Sequence, residues 1–250
     1  MKTILAGTTI WLAAQAALAA GCSAVSPAHT VALVELYTSE GCSSCPPADS
    51  YLSSLRGAGL RADQAVLLSL HVDYWNYIGW KDPYSRKTFT ERQRWLSDLA
   101  HTRTIYTPEF FVAGRELRNW SGGLDDVVKR INATPARASI AIGLGQPTAA
   151  GVPLQVKASG QPGASLYVAL VQSAIATKVG AGENSGRTLR HDFVAREWVA
   201  PVQLGSDGKA ELTRTLPLPA GASPGVSAFV QTAQGEVLQA LALPACGSAL

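Results

Sequence analysis

Two cysteines separated by two serines, Cys42 and Cys45 in "SEGCSSCPPAD", are the residues of this chain best placed to do chemistry. Thiols at this spacing can close a disulfide, hold a metal or exchange electrons with another disulfide. A structural zinc site needs further ligands, and only Cys22 and Cys246 remain, both near the ends of the 250-residue chain. A permanent staple is a second reading, although a two-residue loop is tight. Copper held by Cys42, Cys45 and His71 is a third, because soft thiolates with imidazole suit that metal. Redox exchange requires least beyond the pair itself. A helix starting beside the pair would stabilise a Cys42 thiolate through its unpaired N–H groups and its dipole, making Cys42 the attacking sulfur. Cys45 would then resolve the mixed disulfide. Pro46 and Pro47 lack N–H groups and suit only the first turn of a helix, which agrees with this placement.

The surrounding elements must present that pair. "VALVELYT" is a short β-branched and apolar run, read as a buried strand leading into the motif. "ADSYLSSL" puts Tyr51, Leu52 and Leu55 on one helical face. "AVLLSLHVDYW" reads as a second strand, and "GWKDPYSRKTFTERQRWLSDLA" as a helical insertion. "TPEFFVAGREL" predicts two strands around a turn at Ala113-Gly114, and "GGLDDVVKRINA" predicts a closing helix. After Pro135 only short strands separated by Gly, Pro, Asp and Ser are expected, about seven in all. The pattern predicts an α/β domain over 30–134 followed by an all-β sandwich-like domain over 138–246.

Composition bounds the setting. With 47% hydrophobic residues the chain can bury a sizeable core, and a net charge of +3 without an extended basic cluster argues against nucleic acid. Lys2, the apolar run from Ile4 to Ala20 and the small residues "ALA" at 17–19 predict a cleaved signal peptide over 1–21. Export would place the protein in the periplasm or outside the cell, where disulfides persist, with no spanning helix in the mature chain. "LAAGC" offers an alternative, lipid attachment at Cys22 as in a bacterial lipoprotein. Four cysteines allow three pairings; Cys42 with Cys45 leaves a Cys22–Cys246 clasp, which excludes that lipid.

Four stretches carry a resemblance: "VELYTSEGCSSCPPAD", "LHVDYWNYIGWKDPYS", "YTPEFFVAG" and "GRTLRHDFVARE". Together they resemble a family of uncharacterised, exported bacterial proteins with a thioredoxin-like domain. The resemblance implies that the 30–134 domain is thioredoxin-like. It also implies that Thr107-Pro108 forms a cis peptide opposite the cysteine pair, where its backbone would meet a substrate chain. An acidic residue beneath the pair commonly moves the resolving cysteine's proton in thioredoxins, and Glu35 on the incoming strand is the candidate here. The alternative for Glu35 is a solvent-facing position on an edge strand. Trp before Cys42 and Gly-Pro inside the pair are missing, which separates this chain from general thioredoxin reductants.

Other residues have quieter readings. His71 is expected to be a partly buried histidine bonded to neighbouring backbone, with copper ligation the alternative. Tyr74, Trp75, Tyr77 and Trp80 are expected to anchor the insertion on the sheet. Arg187, Arg190, His191 and Asp192 are expected in a solvated loop. The functional expectation is a thiol-disulfide oxidoreductase that uses Cys42, Cys45, Thr107, Pro108 and Glu35 without a cofactor. Its partners would be exported protein thiols or disulfides and a redox partner. A copper-binding protein or metallochaperone and a redox-inert interaction module are the alternatives.

Overall fold

A computed structural model describes residues 21–217 and 224–246. Residues 1–20 of the expected signal peptide lie outside the described residues. The described chain begins with β1 (Cys22–Val25), β2 (Ala32–Thr38), α1 (Pro46–Gly57), β3 (Ala65–His71), α2 (Lys87–Leu99), β4 (Glu109–Val112), β5 (Arg115–Glu116) and α3 (Trp120–Asn132). Strands then follow without another α-helix: β6 (Ser139–Leu144), β7 (Val152–Ser159), β8 (Ser165–Gln172), β9 (Ile175–Lys178), β10 (Thr188–His191), β11 (Val194–Gln203), β12 (Lys209–Leu216), β13 (Gly225–Gln231) and β14 (Val237–Leu243).

The expected strands and helices form where the residue spacing predicts them, with β1, β9 and β10 in addition, but they assemble differently. An eight-stranded mixed sheet runs in the order β14-β13-β8-β11-β3-β2-β4-β5 and contains strands from both halves of the chain. The join is made by β11 beside β3, where Val194 pairs with Ser69 in parallel and the Ser69 N–H donates to the Phe193 carbonyl at 2.8 Å. A four-stranded sheet, β1-β6-β7-β12, covers the other end and draws the N-terminal strand into the later half. The expected α/β thioredoxin-like domain followed by a separate sandwich is therefore corrected to a mostly β protein with large mixed sheets. Periodicity marks a strand and its buried face but does not say which strand lies beside it.

Packing explains why the halves join. β2 and β3 are buried on both faces, as near-continuous apolar runs demand. One face meets α1 and α3 through Val34, Leu36, Leu52, Leu67 and Leu124. The other gathers Leu33, Tyr37, Leu68 and Phe89 with Ala169, Ala195 and Phe229 from the later strands. Without those later residues that face of the sheet would expose a broad apolar patch. Cys22 is joined to Cys246, linking β1 to the segment after β14, and lipid attachment would require the same Cys22 sulfur. Among the described residues no helix is long and apolar enough to cross a membrane.

Candidate functional site at Cys42 and Cys45

α1 starts immediately after the cysteine pair. Cys45 occupies its N-cap, Pro46 and Pro47 the first two positions, and the Cys45 carbonyl accepts from the N–H groups of Ala48 and Asp49. Proline loses nothing there, since those N–H groups have no intrahelical partner. Cys42 and Cys45 form a disulfide. Thr107-Pro108 is a cis peptide, and the Thr107 carbonyl oxygen lies 3.7 Å from Cys42 Sγ. Trp75 fixes that turn by donating from Nε1 to Thr107 Oγ1 at 2.7 Å. Sites 65 residues apart in sequence thus meet at one sulfur.

A loop over residues 179–187, between β9 and β10, covers the pair. Asn184 is fully buried, and its Nδ2 donates to the carbonyls of Glu40 and Cys42, each at 2.9 Å. Arg187 Nη1 donates to Asn184 Oδ1 at 2.6 Å and sets the amide's orientation. The Ser43 N–H donates to Glu183 Oε2 at 2.8 Å, and the Ser43 hydroxyl together with that N–H holds the Glu183 carboxyl below its usual range. Gly182 turns the loop at a φ of +75°, where a Cβ would also come within 2.9 Å of Ile78 Cδ1. Both cysteines are 0% exposed, so an incoming thiolate reaches Cys42 only when surrounding residues move.

A buried polar cluster lies behind the motif. His71 Nδ1 and Asp82 Oδ2 are 2.7 Å apart, and the Glu40 N–H also donates to Asp82 Oδ2. His191 Nε2 is 3.2 Å from Glu40 Oε1, and His191 Nδ1 is 4.0 Å from Asp49 Oδ2. Thr38 Oγ1 donates to Asp49 Oδ2, Trp80 Nε1 donates to Glu40 Oε2, and the two imidazole centroids are 4.9 Å apart. Burial alone disfavours the His71 cation, but the Asp82 charge and hydrogen bond, with Asp49 and Glu40, raise its pKa overall. Burial works against the Asp82 carboxylate, yet His71 and the N–H groups of Glu40 and Tyr84 hold its pKa low. For Asp49 burial dominates and raises the pKa despite His71, His191 and Thr38.

Several expected residues change place. Glu35 is neither exposed nor beneath the pair: it falls between Val34 and Leu36, which face α1, and so points to the α2 side of the sheet. There Arg92 holds it in a bidentate ion pair at 2.6 and 3.1 Å. His71 bonds a carboxylate and not neighbouring backbone, and its location is fully buried. Its Nδ1 is committed to Asp82, and both cysteine sulfurs to each other. No group of three or more His, Cys, Asp or Glu side chains suited to a metal occurs among the described residues. Trp75 and Trp80 anchor the insertion by hydrogen bonds, whereas Tyr77 is 82% exposed.

The residues that sequence reasoning missed are Asp49, Asn184 and the buried setting of His191. His191 is not in a solvated loop: it ends β10 and is 2% exposed. Its stretch, "GRTLRHDFVARE", is one of the four that carry the family resemblance, which is the available signal.

A mostly β protein with a covered Cys-x-x-Cys disulfide set between a cis-proline turn and a buried histidine–carboxylate cluster is the class these features define. The chain belongs to the family described as "Protein of unknown function (DUF1223)", matched over residues 33–234. It is similar to the crystal structure of protein AGR_C_4864 from Agrobacterium tumefaciens, at 26% identity and a TM-score of 0.61, over 90% of this chain and 99% of that one. HBP35 of Porphyromonas gingivalis shares the fold at 13% identity and a TM-score of 0.63, over 90% of this chain and 80% of that one. No curated protein matches the chain.

Proposed function

We propose that this protein is an exported thiol-disulfide oxidoreductase that works in the periplasm or outside the cell through Cys42 and Cys45. The observation that carries the reading is the placement of the Thr107 carbonyl 3.7 Å from Cys42 Sγ, at the start of α1. A substrate thiolate attacks Cys42 Sγ, and the electron pair of the broken bond stays on Cys45. The backbone beside cis-Pro108 lies where it can meet the substrate chain. Electrons pass between sulfurs, so the exchange needs no cofactor. The partners are exported protein thiols or disulfides and a redox partner. A second disulfide, Cys22–Cys246, supports an oxidising compartment.

Titration of the purified protein against glutathione buffers, with thiol alkylation and mass measurement, tests this reading. A reversible Cys42–Cys45 transition between roughly −120 and −270 mV is expected. A bond that stays oxidised across the whole series, or thiols that never re-form it, would overturn the proposal.

A further inference from the structure

We infer that Glu183 sets the substrate class of the Cys42 site, selecting protein thiols and disulfides with a lysine or arginine beside the reacting cysteine. The inference rests on the exchange reading above and adds to it which partners the site takes. Glu183 belongs to the loop between β9 and β10, 140 residues from Ser43 in sequence, and its carboxylate accepts the Ser43 N–H at 2.8 Å. Ser43 follows Cys42 directly, so this charge stands one residue from the sulfur that a substrate attacks.

The residues on either side of Glu183 fix its position. Asn184 is fully buried and donates to the carbonyls of Glu40 and Cys42. Gly182 takes a φ of +75°, and a Cβ there would lie 2.9 Å from Ile78 Cδ1. The same Ile78 atom lies 3.2 Å from where a Cβ on Gly41 would sit, one residue before Cys42. The Glu183 side chain itself is exposed, on a loop pinned at both neighbours.

The carboxylate is also unmatched. Hydrogen bonds from Ser43 hold its pKa down against a small opposing effect of burial, and no lysine or arginine charge contributes. Basic groups around the motif are held elsewhere: Arg187 on Asn184 Oδ1, His71 against Asp82, and His191 against Glu40. A fixed, unpaired charge beside a reaction site attracts reactants of opposite sign and repels those of like sign. Tyr77 lies on the turn Asn76–Ile78 and is 82% exposed, which offers a ring face to an ammonium or guanidinium group. The chain as a whole carries +3, so a preference for cations is local to this site and opposite to the net charge.

Glu183 enters neither the electron nor the proton balance. A substrate thiolate attacks Cys42 Sγ, the Cys42–Cys45 bond breaks, and Cys45 leaves with the electron pair and takes a proton from water. A second substrate thiolate attacks the substrate sulfur, a substrate disulfide leaves, and Cys42 takes a proton from water. Two substrate thiols are oxidised and one protein disulfide is reduced. Glu183 acts on which thiolate arrives.

Three small thiols serve as probes: cysteamine, which is cationic, 2-mercaptoethanol, which is neutral, and mercaptoacetate, which is anionic. Each is mixed with oxidised wild type, Glu183→Gln and Glu183→Lys. Alkylation and peptide mass then follow reduction of Cys42–Cys45 separately from Cys22–Cys246. Dividing each rate by the same protein's rate with 2-mercaptoethanol removes any effect of a loosened loop. In Glu183→Gln the cysteamine ratio is expected to fall about threefold and the mercaptoacetate ratio to rise about threefold, the effect of one exposed charge nearby. Glu183→Lys is expected to move both ratios further in the same directions. Both shifts should vanish near 1 M salt, where the screening length is about 3 Å. Ratios that are equal in all three proteins, or reversed, would overturn the inference and leave the exchange reading standing. Shifts that persist at high salt would overturn it too. A Cys42–Cys45 bond that none of the three thiols reduces would instead remove the exchange reading itself, and this inference with it.

Discussion

The side-chain amide of Asn184 donates to the backbone carbonyl of Cys42 across 142 residues of sequence. One amide thereby ties the β9–β10 loop to the cysteine motif, and the same nitrogen reaches the Glu40 carbonyl. The contact holds the loop against the backbone of the motif. Asn184→Ala is expected to cost about 1–3 kcal/mol, the usual penalty for unpaired buried polar groups. It is also expected to speed reduction of Cys42–Cys45 by dithiothreitol about tenfold, as opening the cover becomes easier. Stopped reduction followed by alkylation gives the rate, and equal rates in variant and wild type would show that the loop is no barrier.

Arg92 and Glu35 make a different kind of link. The guanidinium donates to both Glu35 oxygens and to Gln231 Oε1 at 3.0 Å, and lies 4.8 Å from the Phe229 ring centroid. Burial disfavours the Arg92 cation, and the Glu35 charge more than restores it. Arg92→Ala is expected to cost about 3–5 kcal/mol by leaving a buried carboxylate alone, and an Arg92→Met/Glu35→Leu pair to recover most of that. Urea melts of the two variants decide it. Glu35→Gln is expected to leave the pH profile of mixed-disulfide resolution unmoved, because its side chain lies across the sheet from α1.

Much of the local structure was legible in the residues. The apolar run before Cys42, the prolines after Cys45 and the three- and four-residue spacing of Phe89, Arg92, Trp95, Leu96 and Leu99 each specify an element by short-range physics. What escaped was the pairing of β11 with β3, because strand periodicity carries no information about the neighbour. That single junction decides the architecture and brings His191 to Asp49. Glu35 failed for a related reason. Beneath the motif, period two puts Glu35 and Leu36 on opposite faces, but in a strand buried on both sides the sequence does not mark which face meets α1.

His71 and Asp82 form a buried ion pair with a definite pH signature. The His71 pKa is raised, so its stabilisation is complete below about 6.5, the unfolded value, and is lost as pH climbs through the higher folded value. The Asp82 pKa is lowered, so its share is present above the ordinary carboxylate range and is lost as pH falls through the folded value. The pair therefore contributes most between those limits. Asp82→Asn is expected to cost about 3–5 kcal/mol near pH 6 and less at pH 9. Urea midpoints measured at both values check this, and a penalty that grows toward pH 9 would contradict the pairing.

Glu109, the residue after cis-Pro108, should give the molecule a second pH dependence near neutrality. It is 2% exposed, and Gln93 Nε2 donates to its Oε2 at 2.6 Å while also donating to the Tyr106 carbonyl at 2.8 Å. Burial pushes the Glu109 carboxyl up to about 7, with Glu116 adding to the rise and the Gln93 hydrogen bond and Arg118 opposing it. The folded state therefore binds a proton that the unfolded state has already lost, and stability declines as pH rises between about 4.5 and about 7. Glu109→Gln keeps an oxygen for Gln93 and removes the charge. At pH 8 the variant is expected to exceed the wild type by up to about 3 kcal/mol, from about 1.4 kcal/mol per pKa unit. At pH 4 the two should be nearly equal. A variant that is less stable at pH 8 would mean that the charged form is the one the fold prefers, reversing the sign argued from burial.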